Sequence, residues 1–159
     1  MSTVADSSPI CYLRMIEQIE LLPALFGEIA IPEAVVQELS DEGAPATVRE
    51  WIEHPSPWLL IERVACYPEQ FSESLHSGEQ EVIALARQIS AGLVIIDEKA
   101  ARRTAKEYGL NVTGLIGVLC EAATRGMIDI IVAAERLSQT NFRISPQLLK
   151  VLVDQSRFH

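Results

Sequence analysis

The chain has 159 residues, of which 48% are apolar, and its formal net charge is −9. This length and composition predict a single domain over residues 1–159, because no low-complexity run or shift in composition divides the chain. No apolar stretch approaches the roughly 18 to 20 residues that span a bilayer, so we expect a cytoplasmic protein, and the negative charge argues against a generic nucleic-acid coat.

The first predicted strand is the short apolar run of residues 3–5, which ends at Asp6. Ser7, Ser8 and Pro9 then supply the cap and first turn of a helix. Apolar residues recur at helical spacing through residue 19, so this helix is expected to pack on the sheet, with a break at Pro23.

A second strand is predicted over residues 28–31, followed by a helix that starts at Pro32 and runs through residue 39. Glu38 lies at the margin of the apolar stripe of this helix, where a side chain can reach a cleft. The alternative is that Glu38 is an ordinary solvated surface acid.

The middle of the chain predicts a helix over residues 46–54 and a third strand over residues 58–64. The pattern of residues 66–76 indicates only an irregular or weakly helical connection.

The segment that begins at Ser77 resembles a capping box, with Ser77 as the cap and Gln80 reaching back to it. Glu79 falls in the first turn of this helix, where the helix dipole alone would favour an acid. Glu81, on another face of the same helix, is a rival candidate for the acid of the site.

The run of residues 92–97 predicts a buried parallel strand that delivers Asp97 to the edge of the sheet. Two acids, Asp6 and Asp97, therefore follow two strands. In open parallel sheets, ligands bind outside the carboxyl ends of the strands, where the strand order reverses. Carboxylates that meet there repel one another unless a divalent cation binds them.

Four cations lie on one short segment around the predicted helix of residues 100–108. They are Lys99, Arg102, Arg103 and Lys106. They are either a solvated helix face or an RNA-binding patch that contacts phosphate beside the acids.

The remaining pattern predicts a fifth strand over residues 111–113 and helices over residues 115–124, 128–137 and 147–154. Alternation of strands with helices predicts an α/β fold, a three-layer α/β/α sandwich with a central parallel sheet of about five strands.

Other enzymes that use such a scaffold fit the sequence poorly. The first strand is followed by Asp6-Ser7-Ser8, which lacks the adjacent acids of a receiver domain and the second aspartate of a haloacid-dehalogenase-like phosphatase. The sequence contains neither a Walker loop nor a dinucleotide-binding glycine motif.

Four segments in order resemble a PIN-domain nuclease of the small prokaryotic toxin–antitoxin type. The segments are residues 6–13, 31–39, 78–86 and 95–97, and residues 141–145 also resemble a subgroup of small PIN proteins. The resemblance covers nearly the whole chain and implies a parallel sheet of strand order 3-2-1-4-5 with the acids gathered in one crevice.

The resemblance also implies metal-dependent cleavage of RNA. The positions that match the family's acids are Asp6, Glu38, Glu79 and Asp97. Asp6, Asp97 and Glu79 are expected to hold Mg²⁺ or Mn²⁺, and Ser7 or Ser8 would orient a carboxylate or a water. An antitoxin partner and a homodimer are further implications of the resemblance.

Two positions depart from the family pattern. The family usually has aspartate where this chain has Glu79, and many members have an acid near Thr113, where this chain offers a hydroxyl that could orient a carboxylate or a water. The alternative hypothesis is therefore a catalytically weak or inactive PIN-fold protein that acts as a protein-binding module.

Overall fold

The computed structural model describes residues 1–65 and 75–142, together with the single positions Gln147, Lys150 and Asp154. In this part of the chain the strands are β1 (Thr3–Ala5), β2 (Ile29–Pro32), β3 (Leu59–Glu62), β4 (Leu93–Ile95) and β5 (Val112–Thr113). The helices are α1 (Ser7–Met15), α2 (Leu21–Phe26), α3 (Glu33–Ser40), α4 (Ala46–Glu53), α5 (Ser77–Gln88), α6 (Lys99–Glu107), α7 (Leu115–Thr124) and α8 (Ile130–Ser138).

The strands form one parallel sheet of order β3-β2-β1-β4-β5, flanked by helices, which confirms the predicted fold class and strand order. β1 and β4 are central neighbours, in register from Thr3 against Leu93 to Ala5 against Ile95. The chain moves from β1 to one side of the sheet and from β4 to the other, so the order reverses between these two strands. Asp6 and Asp97 follow these two strands and therefore lie at the switch point.

The central strands are short apolar runs because helices cover the sheet. Val4 and Ala5 of β1 and Val94 and Ile95 of β4 are fully buried, as expected for parallel strands with both faces covered. Helix α5 packs against β1, β2 and β4, and it also contacts α3. This packing brings the first turn of α5 close to the ends of β1 and β2.

The predicted break at Pro23 is wrong. Helix α1 ends at Met15, and Glu17 has a φ of +61°, so the chain turns there before α2 begins. Pro23 lies inside the first turn of α2. Backbone N–H groups in the first turn of a helix have no helical partner, so a proline there removes no hydrogen bond and does not break the helix.

Some predicted segments lie outside the described residues. They are residues 66–74 of the connection before α5, residues 143–145 of the resemblance, and most of the predicted helix 147–154. None of the described helices is long and apolar enough to span a membrane.

Candidate active site

Asp6 lies at the C-terminal end of β1 and caps helix α1. Its Oδ1 accepts a hydrogen bond from the backbone N–H of Ser7 at 2.8 Å, and its side chain is buried. Burial raises the pKa of Asp6 to about 7, and the negative charges of Glu38 and Glu79 add to this, against the lowering effects of the Ser7 N–H and of His76. The structure therefore brings three of the predicted acids together from three separate elements.

Glu38, in the last turn of α3, is anchored to the N-terminus of α1. The hydroxyl of Ser7 donates to Glu38 Oε2 at 2.5 Å, so Ser7 holds a carboxylate of the predicted site. The other oxygen, Oε1, lies where a Cβ at Gly78 would stand, so a side chain at position 78 would displace the carboxylate. Glu38 is thus directed into the crevice between α1 and α5.

Glu79, in the first turn of α5, is 1% exposed. Burial raises its pKa, and His76 opposes this, while the charges of Glu98 and Glu38 raise it further. Its Oε2 is buried without a hydrogen-bond partner. We call the set of Asp6, Glu38 and Glu79, together with Asp97 after the neighbouring strand β4, the acidic crevice.

His76 is a residue of the site that the sequence did not point to. The capping-box prediction is wrong, because the cap of α5 is His76: its Nδ1 accepts from the N–H groups of Gly78 at 3.1 Å and Glu79 at 3.3 Å. Gln80 donates to the carbonyl of Leu75 instead. Since Nδ1 accepts, the proton of the neutral ring is on Nε2, which lies 3.2 Å from Glu79 Oε1.

Asp97 lies two residues beyond β4, next to the start of α7. Its Oδ1 accepts from the backbone N–H of Leu115 at 2.8 Å, while its Oδ2 is buried without a partner. Burial raises its pKa, against lowering effects of the Leu115 N–H and the nearby Arg102. In the described part of the chain, Asp97 and Arg102 do not form an ion pair within 4 Å, so the guanidinium is near the carboxylate without binding it.

Thr113 orients none of the four acids in the described part of the structure, and its predicted role towards a water stays a prediction. Its hydroxyl lies against Gly117 of α7, and it donates to none of the four carboxylates in the described structure. The group that orients Asp97 is the backbone N–H of Leu115, which the sequence pattern does not reveal because every residue but proline has one.

Glu81, the rival of Glu79, does not belong to the crevice. Its Oε1 accepts from the N–H of Ala34 at 3.3 Å, at the start of α3. Helix α3 has no side-chain cap of its own, since its N-cap is Pro32. Glu81 therefore satisfies a free N–H group of a neighbouring helix.

The four cations of the α6 segment line one open cavity of about 560 Å³ together with Asp97 and Glu107. They are Lys99, Arg102, Arg103 and Lys106. We call this cavity the α6 trough. Within the described residues, none of the four forms a salt bridge, so their charges remain available beside Asp97.

Sequence and structure comparisons identify the family. The model of the DUF3368 family, described as a PIN domain, matches residues 2–157. The chain belongs to the PIN-domain family. The fold of this PIN domain is similar to that of a PilT N-terminus domain protein from the hyperthermophilic archaeon Sulfolobus solfataricus P2, with a TM-score of 0.57 and 20% identity over 77% of this chain and 93% of that chain. No curated protein matches the chain.

PIN domains are generally nucleases that use divalent metal ions, so the donor set of this PIN domain can be tested against such an ion. The acidic crevice offers oxygen ligands, which hard cations prefer, and both Glu79 and Asp97 have a buried oxygen without a partner. Among the described residues, however, no three histidine, cysteine, aspartate or glutamate side chains converge into a ready-made metal site. The donors fit a divalent cation by their chemistry.

Proposed function

We propose that this PIN domain is a metal-dependent endoribonuclease that hydrolyses phosphodiester bonds in RNA. The observation that carries the proposal is the gathering of Asp6, Glu38 and Glu79 at the switch point of the sheet, without a lysine or arginine that pairs with them in the described residues. Mutual repulsion of buried acids is unfavourable for the fold alone, and it favours binding of a cation.

Asp6, Asp97 and Glu79 would hold Mg²⁺ or Mn²⁺. The bound ion would polarise the scissile phosphate and lower the pKa of a water molecule. Glu38 has one oxygen held by Ser7, so its Oε1 is the atom we assign to accept the proton of the attacking water. His76 would orient Glu79 through Nε2, which lies 3.2 Å from Glu79 Oε1.

The α6 trough supports RNA as the substrate class. Its cations lie beside Asp97 and can neutralise phosphates that flank the cleaved bond. The overall charge of −9 would otherwise repel a polyanion, so local cations are required for substrate approach.

Substitution of Asp97 tests the proposal. Asp97→Asn keeps the size of the side chain but removes its charge, and we expect metal-dependent cleavage of a labelled RNA to fall by more than about 100-fold, since even outer partners of metal ligands are worth roughly 10- to 100-fold. Asp129→Asn is the matched control, because Asp129 also accepts backbone N–H bonds at a helix start but lies on α8. Equal activity of Asp97→Asn and wild type would refute the assignment.

Two protein partners are also proposed. An antitoxin with a basic segment would complement the acidic crevice, and its copurification with this chain would support a toxin role. A homodimer could form through exposed apolar side chains around the start of α8, namely Met127, Ile131 and Val132. Light scattering of wild type and Ile131→Glu would show whether this surface holds two copies together.

A protein-binding module without catalysis is the second candidate function. It is favoured by the lack of a ready-made metal site among the described residues. Metal-dependent cleavage by wild type that is lost in Asp97→Asn would exclude it.

A further inference from the structure

A groove runs along α1 away from the acidic crevice. Its volume is about 900 Å³, and Ser7 and Glu38, which belong to the crevice, line one end of it. Tyr12 lies further along α1, and Thr140 and Asn141 form part of the opposite wall. We call this cavity the α1 groove, and it is continuous with the proposed site of cleavage.

The chemistry of the α1 groove differs from that of the α6 trough. The described residues that line the α1 groove include no lysine or arginine, so the groove does not offer a site for phosphates. The hydroxyls of Ser8 and Ser77 and the amide of Gln37 also line it, and they make no hydrogen bond with any other described residue. Beside the carboxylates of Glu38 and Asp41, the groove therefore offers neutral donors and acceptors of the kind that bind the edges of bases.

Tyr12 supplies a flat aromatic surface in this groove. Its hydroxyl donates to Asn141 Oδ1 at 2.7 Å, and its ring meets the edge of Phe142 at 5.0 Å between centroids. These two contacts hold the ring in place before a ligand arrives, which lowers the entropy cost of binding.

The two cavities adjoin different acids of the crevice. Asp97 lines the α6 trough, whereas Ser7 and Glu38 line the α1 groove. A strand whose scissile phosphate lies at the acidic crevice can therefore place phosphates along the cations of the α6 trough and bases in the α1 groove.

We propose that the α1 groove binds unpaired bases of the RNA next to the scissile phosphate, with Tyr12 as the stacking platform. This inference rests on the proposed nuclease function. A base inserted in the groove cannot also be paired within a duplex, so the substrate is single-stranded at the site of cleavage.

Binding of a single-stranded RNA probe tests the inference. The probe is a fluorescein-labelled RNA of about 12 nucleotides, a length within the range that single-strand-binding sites cover. Binding is followed by anisotropy in metal-free buffer, where cleavage does not interfere. We expect Tyr12→Ala to weaken binding about 10-fold, and Tyr12→Phe, which keeps the ring, to change it by less than about 3-fold. The same RNA annealed into a duplex should bind more weakly than the single strand.

The salt dependence of binding distinguishes contacts with bases from contacts with phosphates. Lys106→Ala should weaken binding and also lower the slope of log affinity against log salt by about one, because it removes a phosphate contact. Tyr12→Ala should leave that slope unchanged. Melting curves of both variants serve as the control for folding.

Photo-crosslinking of RNA that contains 4-thiouridine locates the bases directly. Trypsin cleaves after Arg14, so crosslinks to the groove should appear on the peptide of residues 1–14.

If wild type cleaves RNA but Tyr12→Ala binds the probe as wild type does and residues 1–14 carry no crosslink, the inference fails while the proposed function stands. Loss of a copurifying protein from Tyr12→Ala without loss of RNA binding would instead make the groove a protein interface. Wild type that neither binds nor cleaves RNA would overturn the proposed function itself.

Discussion

The carboxylates of the acidic crevice differ in how their oxygens are satisfied. Backbone N–H groups hold one oxygen each of Asp6 and Asp97, and the Ser7 hydroxyl holds one oxygen of Glu38. Glu79 and Asp97 each keep a second oxygen that is buried without a partner. An unsatisfied buried polar atom lowers stability. Glu79 and Asp97 therefore make the metal-free fold less stable.

The stability of the metal-free protein should therefore depend on pH through Asp6. Its pKa is about 7 in the folded state, against an ordinary value of 3.8. The folded state thus binds the proton more tightly, and stability is lost as pH rises between these two values. Asp6→Asn removes the charge, so we expect it to melt at a higher temperature than wild type near about pH 8, by a free energy on the order of 4 kcal/mol at most.

Thermal melts in EDTA measure this difference. The advantage of Asp6→Asn should shrink towards zero near about pH 4, where the aspartate is protonated in the folded state. An advantage of equal size at both pH values would show that the charge of Asp6 is not its cause.

The sequence predicted Asp6 and Asp97 because both follow apolar strands, and strand ends can be recognised from residue type alone. It did not predict His76, because a histidine side chain that accepts from backbone N–H groups has no characteristic spacing. It also did not reveal that the Thr113 hydroxyl lies against Gly117 of α7 and that the partner of Asp97 is a backbone group.

At the scale of elements, the close approach of α3 and α5 decides where Glu38 lies. Gly78 allows its carboxylate to lie against the backbone of α5. Gly78→Ala should push the Glu38 carboxylate away from its position, at little cost to the fold because the displaced atoms are the end of a flexible side chain. Alanine also favours a helix over glycine by roughly 0.5–1 kcal/mol.

We therefore expect Gly78→Ala to lower kcat for RNA cleavage by about 10-fold or more, since a small misplacement of a catalytic group can cost roughly 100-fold. Its melting temperature should equal or exceed that of wild type. A variant with full activity would show that the position of Glu38 does not matter for catalysis.

Helix α5 gives a second prediction through its cap. His76→Ala removes the side chain that accepts the N–H groups of Gly78 and Glu79, and it should cost about 1 kcal/mol of stability. His76→Asn restores a good cap without the ring nitrogen that faces Glu79.

The two variants separate capping from orientation of Glu79. If His76 orients Glu79, both variants should lose cleavage activity, although only His76→Ala should be measurably less stable. Recovery of activity together with stability in His76→Asn would indicate a purely structural role.

Elements were more predictable than their exact junctions. Apolar patterning located most of the described strands and helices, because burial on a covered sheet requires it. The separate helix α2 was not predicted, since the break was placed at Pro23. The turn between α1 and α2 depends on Glu17 in a left-handed conformation, which its residue type does not suggest. The strand order came from the resemblance to PIN domains, since local patterns do not specify which strands are neighbours.

At the scale of the whole molecule, charge is divided between two surfaces. The net charge is −9, yet the α6 trough gathers four cations beside Asp97. Under the proposed function, the acidic crevice would attract the metal ion and the trough would attract phosphates of the substrate.

Binding of the metal should therefore stabilise the whole fold. At a Mn²⁺ concentration about 100 times its dissociation constant, linkage predicts about 2.7 kcal/mol, which in a domain of this size raises the melting temperature by about 5 to 10 °C. Scanning calorimetry with Mn²⁺ and with EDTA measures the shift. Asp6→Asn combined with Asp97→Asn should abolish it, whereas Asp129→Asn should retain it. A shift of equal size in the double variant would place the bound ion outside the acidic crevice.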